Sequence, residues 1–189
     1  MTEIILRDIA LKDLASYRYW KDPAQEHHRY NGPYFKRMSG PELEDFLGEL
    51  ASRLRDHVED PFPGRRMVVD LWTDELIGEV NWYWKSEETQ WMEVGLVIFN
   101  SRYWGRGLGA SILVKWMDEL FERFPDLVRL GLSTWSGNAR MMHLAAKVGL
   151  KQEACYRKAR IVDGRYYDSV SYGILREEWQ ALGHGRAGA

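Results

Sequence analysis

The residues Trp104-Gly105-Arg106-Gly107-Leu108-Gly109-Ala110 carry the most specific chemistry in this sequence. They follow an apolar, strand-like stretch from Val94 to Phe99 and open an amphipathic, helix-like stretch from Ala110 to Phe124. The clustered glycines let the backbone turn tightly and leave its N–H groups uncovered by side chains. A helix beginning there adds unpaired N–H groups and the positive end of its dipole. Such a loop cradles a phosphate or pyrophosphate. Gly105-x-Gly107-x-x-Ala110 satisfies a loose dinucleotide fingerprint, but that pattern requires an acid about 20 residues onward for the ribose. Leu127 to Leu132 contains none, and the loop follows hairpin-like strands rather than opening a βαβ unit. A Walker loop fails because no Gly-Lys-Ser/Thr follows.

The elements that must position this loop are read from period and punctuation. Glu3 to Arg7 reads as a strand, and Leu11, Leu14, Tyr17 and Tyr19–Trp20 recur at helical spacing until Asp22-Pro23. Residues 24–39 read as an irregular, aromatic-rich loop around Asn31-Gly32-Pro33. Pro41 opens a helix with Leu43, Phe46, Leu47, Leu50 and Leu54 as its apolar stripe. Met67 to Trp72 and Leu76 to Trp84 form a hairpin about Thr73-Asp74-Glu75, and Trp91 to Phe99 a third strand. After the loop, Ile112, Leu113, Trp116, Met117, Leu120 and Phe121 share one helix face. Leu127 to Thr134 is a strand, and Asn138 to Val148 a helix stopped by Gly149. Gln152 to Ile161 and Tyr166 to Leu175 close the pattern through a turn at Asp163-Gly164. The order predicts an α+β fold, a mixed but mostly antiparallel sheet flanked by helices. Residues 1–180 form one expected domain and residues 181–189 an expected disordered tail.

Composition narrows the partners. The 189 residues hold 26 basic and 28 acidic side chains, a net charge of −2 that gives no electrostatic case for nucleic acid. No apolar run approaches the roughly 20 residues needed to span a bilayer. The charged start, with Glu3, Arg7 and Asp8, lacks the pattern of a secretory leader. Cys155 is the single cysteine, so no internal disulfide is available and a cytoplasmic address is expected. Cys155 itself is expected to fill the core. His27-His28 is a tempting pair, but adjacent residues are expected to face apart and no His/Cys/carboxylate group has ligand spacing, so no metal is expected. Nine Trp and ten Tyr exceed what a core of this size needs.

The loop residues 104–109 resemble the acetyl-CoA loop of the GNAT superfamily of N-acetyltransferases, Q/R-x-x-G-x-G/A, and the element order resembles that family's as well. Trp104 departs from the usual Gln or Arg. The spelling Tyr103 to Gly107 resembles the RimJ/RimL-like branch, which acetylates ribosomal-protein amino termini. So do Asn138 with Lys147-Val148-Gly149-Leu150, the Gly164, Tyr167, Asp168 and Tyr172 set, and Trp20-Lys21-Asp22-Pro23. The resemblance implies a single-domain acyl-CoA N-acyltransferase fold with acetyl-CoA as co-substrate and no metal. It implies that pantetheine pairs with the backbone of Val97, Ile98 and Phe99, and that the pyrophosphate rests on the N–H groups of Gly105, Arg106, Gly107, Leu108, Gly109 and Ala110. Arg102 or Arg106 then contacts phosphate or remains a solvated loop charge. Asn138 holds the pantetheine, caps its helix, or does both.

The implied reaction moves an acetyl group from the thioester to a primary amine by direct attack in a ternary complex. An alkyl amine is mostly ammonium near neutral pH, so a carboxylate must relay its proton. Glu93 is the leading candidate, eleven residues before Trp104 as in several GNAT enzymes, with Glu79 as the runner-up. The positions at which relatives carry a thiol-protonating Tyr or a Ser hold Ala145 and Met141, which leaves Tyr156 as a substitute or the thiolate to leave unaided. Tyr34, Trp82 and Trp84 fall where the family lines its acceptor pocket, with Asp168 as an acceptor-binding anion; such aromatics serve a cationic acceptor or a homodimer interface equally well. The acceptor is a protein amino terminus or a small cationic amine of polyamine or aminoglycoside type. The competing class is a non-catalytic acyl-CoA-binding regulatory module.

Overall fold

The computed structural model describes residues 2–183. In chain order the elements are β1 (Ile4–Arg7), α1 (Leu14–Lys21), α2 (Gly40–Arg55), β2 (Arg65–Asp70), β3 (Leu76–Ser86), β4 (Trp91–Ile98), α3 (Leu108–Arg123), β5 (Arg129–Trp135), α4 (Ala139–Lys147), β6 (Lys151–Val162), β7 (Arg165–Leu175) and α5 (Arg176–Ala181). The strands hydrogen-bond in the order β1-β2-β3-β4-β5-β7-β6. The β4/β5 pair is parallel, while β1/β2, β2/β3, β5/β7 and β6/β7 are antiparallel. The mixed, mostly antiparallel sheet expected from the sequence is therefore present. The chain resolves into two compact units, Met1–Asn81 with Val97–Trp104, and Trp82–Leu96 with the chain from Gly105 on. Their boundaries fall inside β3 and β4 rather than at a linker.

In the first unit, α2 starts where the sequence says it must. The Ser39 side chain accepts from the Glu42 N–H, and the Glu42 carboxylate accepts from the Ser39 N–H at 2.6 Å, a reciprocal cap just before the apolar stripe. Leu43, Leu47 and Leu50 pack with Ile9, Tyr17, Met67, Val69, Leu76 and Phe99 in one core. Gly78 on β3 lies so close to β4 that a Cβ there would sit 2.2 Å from the Val97 carbonyl oxygen. The loop after α1 contains a single 3-10 turn, Glu26–Arg29, and it overturns the expectation that His27 and His28 face apart. Their rings lie 4.1 Å apart between centroids, and the His27 ring also packs 5.2 Å from that of Phe99. Burial, then the neighbouring His28 and the positive charges of Lys21 and Arg37, pushes His27 down to about 3.

In the second unit, α3 buries the six side chains named from its sequence stripe, from Ile112 to Phe121. β5 pairs along its full length with β7, from Arg129↔Leu175 to Trp135↔Ser169. Asp163 and Gly164 join β6 to β7 with φ of 49° and 72°, the left-handed pair that a two-residue hairpin turn requires. The sequence reading did not anticipate α5. Its Trp179 is buried and donates its indole N–H to Asp118 of α3 at 2.7 Å. Arg176 donates to the carbonyls of Phe121, Phe124 and Leu127, closing the C-terminal end of α3. Cys155 is exposed on β6 rather than buried, because β6 lies at the end of the sheet. Of the expected tail, Ala181 ends α5, Leu182 lies over Gly149, and residues 184–189 fall outside the described residues. Among the described residues no helix is long and apolar enough to cross a membrane.

Candidate acyl-CoA site

The glycine loop has the geometry its composition predicts. Gly105 and Gly107 have φ of 70° and 80°, a conformation costly for any residue with a Cβ, and Gly107 is the N-cap of α3. A Cβ built on either would meet nothing within 4 Å, so conformation and not crowding demands glycine there. Gly109 differs, since a Cβ would come 3.2 Å from the Leu144 side chain and tighten the α3–α4 contact. The helix begins at Leu108, two residues earlier than its apolar pattern suggested, and the Ala110 N–H already donates to the Gly107 carbonyl at 3.2 Å. Ala110 thus leaves the expected cradle, whose helical contribution comes from the first-turn N–H groups of Leu108 and Gly109.

Trp104, the departure from the family pattern, has a local task. Its indole N–H donates to the Ile98 carbonyl at 2.9 Å, and its ring meets Tyr30 edge-on. The first loop residue is thereby tied to the last residue of β4. Arg102 pairs with Glu75 and with the Tyr103 hydroxyl, so its charge is already engaged at the strand end, whereas Arg106 is exposed on the loop. Asn138 caps α4, its Oδ1 accepting from the Met141 N–H at 3.2 Å.

The β4/β5 ladder consists of Met92↔Leu130 and Glu93↔Gly131, while β5 goes on pairing with β7 as far as Trp135. Among the described residues of the second unit that ladder stops at Glu93, and farther along β4 the Ile98 carbonyl accepts from the Trp104 indole. Phe99 is already paired. Its N–H donates to the Ile77 carbonyl at 2.9 Å and its ring is core, and of the other two residues expected to pair with pantetheine Ile98 has its carbonyl engaged by the Trp104 indole. Alternation along the strand directs Ile98 the other way, away from β3. Val97, by the same alternation, turns its carbonyl toward Gly78.

Glu93 is 2% exposed and both its oxygens accept hydrogen bonds, Oε2 from the Tyr83 hydroxyl at 2.5 Å and Oε1 from the Ser133 hydroxyl at 2.9 Å. The Ser133 and Ser171 hydroxyls lie 3.1 Å apart. Ser133 and Ser171 are register partners across β5 and β7, and Gly131 and Gly173 form the next pair on the same face. Tyr83, Ser133 and Ser171 were missed from sequence. Alternation around Glu93 placed neighbours on its own strand, while these partners come from β3, β5 and β7.

Glu79 has a different environment. Its buried carboxylate accepts from the Tyr17 hydroxyl at 2.8 Å and from Lys21 Nζ at 2.6 Å, with Arg65 3.2 Å away. Burial alone would raise its pKa, but Lys21 and Arg65, with the two hydrogen bonds, hold it down to about 2. A carboxyl so firmly ionised is a poor proton acceptor near neutral pH, which counts against Glu79 as base.

Trp82 and Trp84 pack edge-on against Phe124, centroids 5.2 and 5.8 Å away, at the end of α3. Strand alternation therefore turns Tyr83, not the tryptophans, toward Glu93. Tyr34 is half-buried against Phe35 in the loop after α1. The Asp168 carboxylate accepts from the Lys158 N–H at 2.8 Å and faces the Cys155 thiol, engaged within the β6–β7 hairpin. Tyr156 is exposed on β6 opposite Ser169, and Ala145 is buried in α4. Among the described residues no group of three or more His, Cys, Asp and Glu could hold a metal.

Known proteins bear on this arrangement in three ways. A family model for the acetyltransferase (GNAT) domain matches residues 3–151. YoaA of Bacillus subtilis (strain 168), described as an uncharacterized N-acetyltransferase, is 25% identical over 104 residues, a span of 55% of this chain and 58% of that protein. Spermidine N-acetyltransferase from Vibrio cholerae, solved with CoA and spermine, superposes with a TM-score of 0.72 over 94% of this chain and 98% of its own at 20% identity. A GNAT-family acetyltransferase from Bacillus anthracis does so with 0.70 at 17% identity, over 94% of this chain and 98% of its own. The solved structures share the fold, the family model spans most of the sequence, and the chain belongs to the GNAT family of acetyltransferases.

Proposed function

We propose that this chain transfers an acetyl group from acetyl-CoA to a primary amine by direct attack. The observation that carries this reading is the end of the β4/β5 ladder at a buried carboxylate, Glu93, on a strand that leads into the left-handed glycine loop. The β4 edge beyond Glu93, where alternation turns the Ile98 N–H away from β3, suits the amide-bearing arm of the coenzyme, which pairs as an added strand would. The open backbone over Gly105 and Gly107 and the first turn of α3 suit its diphosphate. Glu93 accepts the proton that the ammonium must lose, and an N–H on the β4 edge faces the tetrahedral oxyanion. With Ala145 and Met141 in place of acids, the thiolate leaves unaided, which a thiol pKa of about 8.5 permits. The domain so defined takes in residues 1–180, and a single exposed cysteine outside any disulfide suits a reducing cytoplasm.

The acceptor is a small cationic amine or a protein amino terminus. The polyamine enzyme among the structural neighbours favours the first, and the branch-like blocks around Tyr103 and Asn138 favour the second. An acceptor screen with spermidine, spermine, aminoglycosides and amino-terminal peptides, read by release of CoA thiol, tests both. The missing acids also motivate the regulatory-module reading. Tight acetyl-CoA binding by calorimetry with no thiol release on any amine would establish it instead, and no binding at all would end both.

A further inference from the structure

Resting on the acetyl-transfer reading, we propose that Ser133 takes the proton from the acceptor amine, with Glu93 acting through it and Ser171 leading the proton out. Glu93 is 2% exposed and each of its oxygens already accepts a hydroxyl, whereas Ser133 is exposed. A carboxylate cannot donate, so Ser133 must donate to Glu93, and at the 3.1 Å contact Ser171 must then donate to Ser133. The chain Ser171, Ser133, Glu93 therefore has every hydrogen aimed at the carboxylate. One lone pair of Ser133 Oγ remains for a third partner. The neighbouring ladder position, Gly131 and Gly173, is roofed by an ion pair: the Glu153 carboxylate lies over Gly173 and pairs with Arg129, whose guanidinium would lie 3.9 Å from a Cβ on Gly131, itself 3.8 Å from Glu93 Cγ.

The proton balance closes on these groups. The acceptor ammonium passes one proton to Ser133 Oγ as the Ser133 proton passes to Glu93 Oε1. The freed nitrogen lone pair then forms the C–N bond at the thioester carbonyl. As the C–S bond breaks, the nitrogen sheds its second proton, which the departing thiolate takes up to give CoA thiol. The proton on Glu93 returns through Ser133 to Ser171 and then to water, and this single proton is the net release of the reaction. Tyr83 holds the other carboxylate oxygen throughout and keeps the side chain in place.

The test uses Ser133→Ala, Ser133→Thr, Ser171→Ala and Glu93→Gln, assayed with acetyl-CoA and an amine turned over by the wild type. Ser133→Ala should lower kcat about 100-fold at pH 7, the scale of general-base catalysis, with KM for acetyl-CoA within about twofold. Raising the pH to 9.5 should recover most of the loss, because the amine then deprotonates unaided. Ser133→Thr, which keeps a hydroxyl, should recover activity to within about fivefold. The proton inventory should curve for the wild type and become linear for Ser133→Ala, and Ser171→Ala should weaken the curvature. An unchanged kcat in Ser133→Ala beside a slow Glu93→Gln would overturn the relay and leave Glu93 as a direct base. A loss rescued by neither pH nor threonine would show a merely structural serine. An unchanged rate in Glu93→Gln would remove the underlying reading of the site along with the relay.

Discussion

Replacing Glu79 with glutamine separates a structural charge from a catalytic one. Its carboxylate is 4% exposed and is held by Lys21, Arg65 and Tyr17. Removing one partner of a buried ion pair costs about 3–5 kcal/mol. The Lys21 and Arg65 side chains are 23% and 31% exposed and can still turn to water, which places this case at the low end. The linkage argument agrees. The carboxyl falls from an ordinary 4.5 to about 2 in the fold. At roughly 1.4 kcal/mol per unit that shift amounts to about 3 kcal/mol. Because the folded value is depressed, this stabilisation is complete above pH 4.5 and is lost as pH falls toward 2. Urea unfolding followed by tryptophan fluorescence should show Glu79→Gln about 3 kcal/mol less stable at pH 7, with the gap about 1.4 kcal/mol smaller at pH 3.5. The rate profile of acetyl transfer from pH 6 to 9 should keep the wild-type shape. A stability gap that does not change with pH, or one under about 1 kcal/mol at pH 7, would refute the ion-pair account. A shifted rate profile would return Glu79 to consideration as base.

Gly107→Ala forces an alanine into a left-handed position at a cost of about 1–2 kcal/mol, and calorimetry should show CoA binding weakened about tenfold. Gly109→Ala keeps an ordinary helical φ but presses on Leu144, so it should lower Tm while leaving CoA affinity within about threefold. His27 is held neutral down to about pH 3, so stability is full above pH 6.5 and falls as pH drops below it, by up to about 1.4 kcal/mol per unit. His27→Phe should flatten that slope between pH 6.5 and 5 in urea titrations, and an unchanged slope would locate the acid sensitivity elsewhere. Glu93→Gln should slow transfer at pH 7 and recover in part at high pH, measured as thiol release from acetyl-CoA.

Local signals were enough to read the loop and the elements around it. Glycines in sequence between an apolar strand and an amphipathic helix fix the backbone conformation of residues 105–109, because left-handed φ values are cheap only for glycine. The α3 stripe and the Asp163-Gly164 turn were legible for the same reason, since each depends on residues close in the chain. Partners brought from distant strands were not legible. Glu79 and Glu93 look alike on adjacent strands, yet one meets Lys21 and Arg65 and the other meets Tyr83 and Ser133. Trp82, Tyr83 and Trp84 share one aromatic character, and only the packing of Phe124 shows that Tyr83 points to the carboxylate. Phe99 reads as a strand residue open to a ligand until its N–H is found on Ile77. The sequence by itself determined the fold class, the loop and the pair of candidate acids, because propensity and period act over a few residues. Tertiary structure alone decided which acid is pinned and which is wired to hydroxyls, because charge and hydrogen bonding depend on distances that only strand pairing sets.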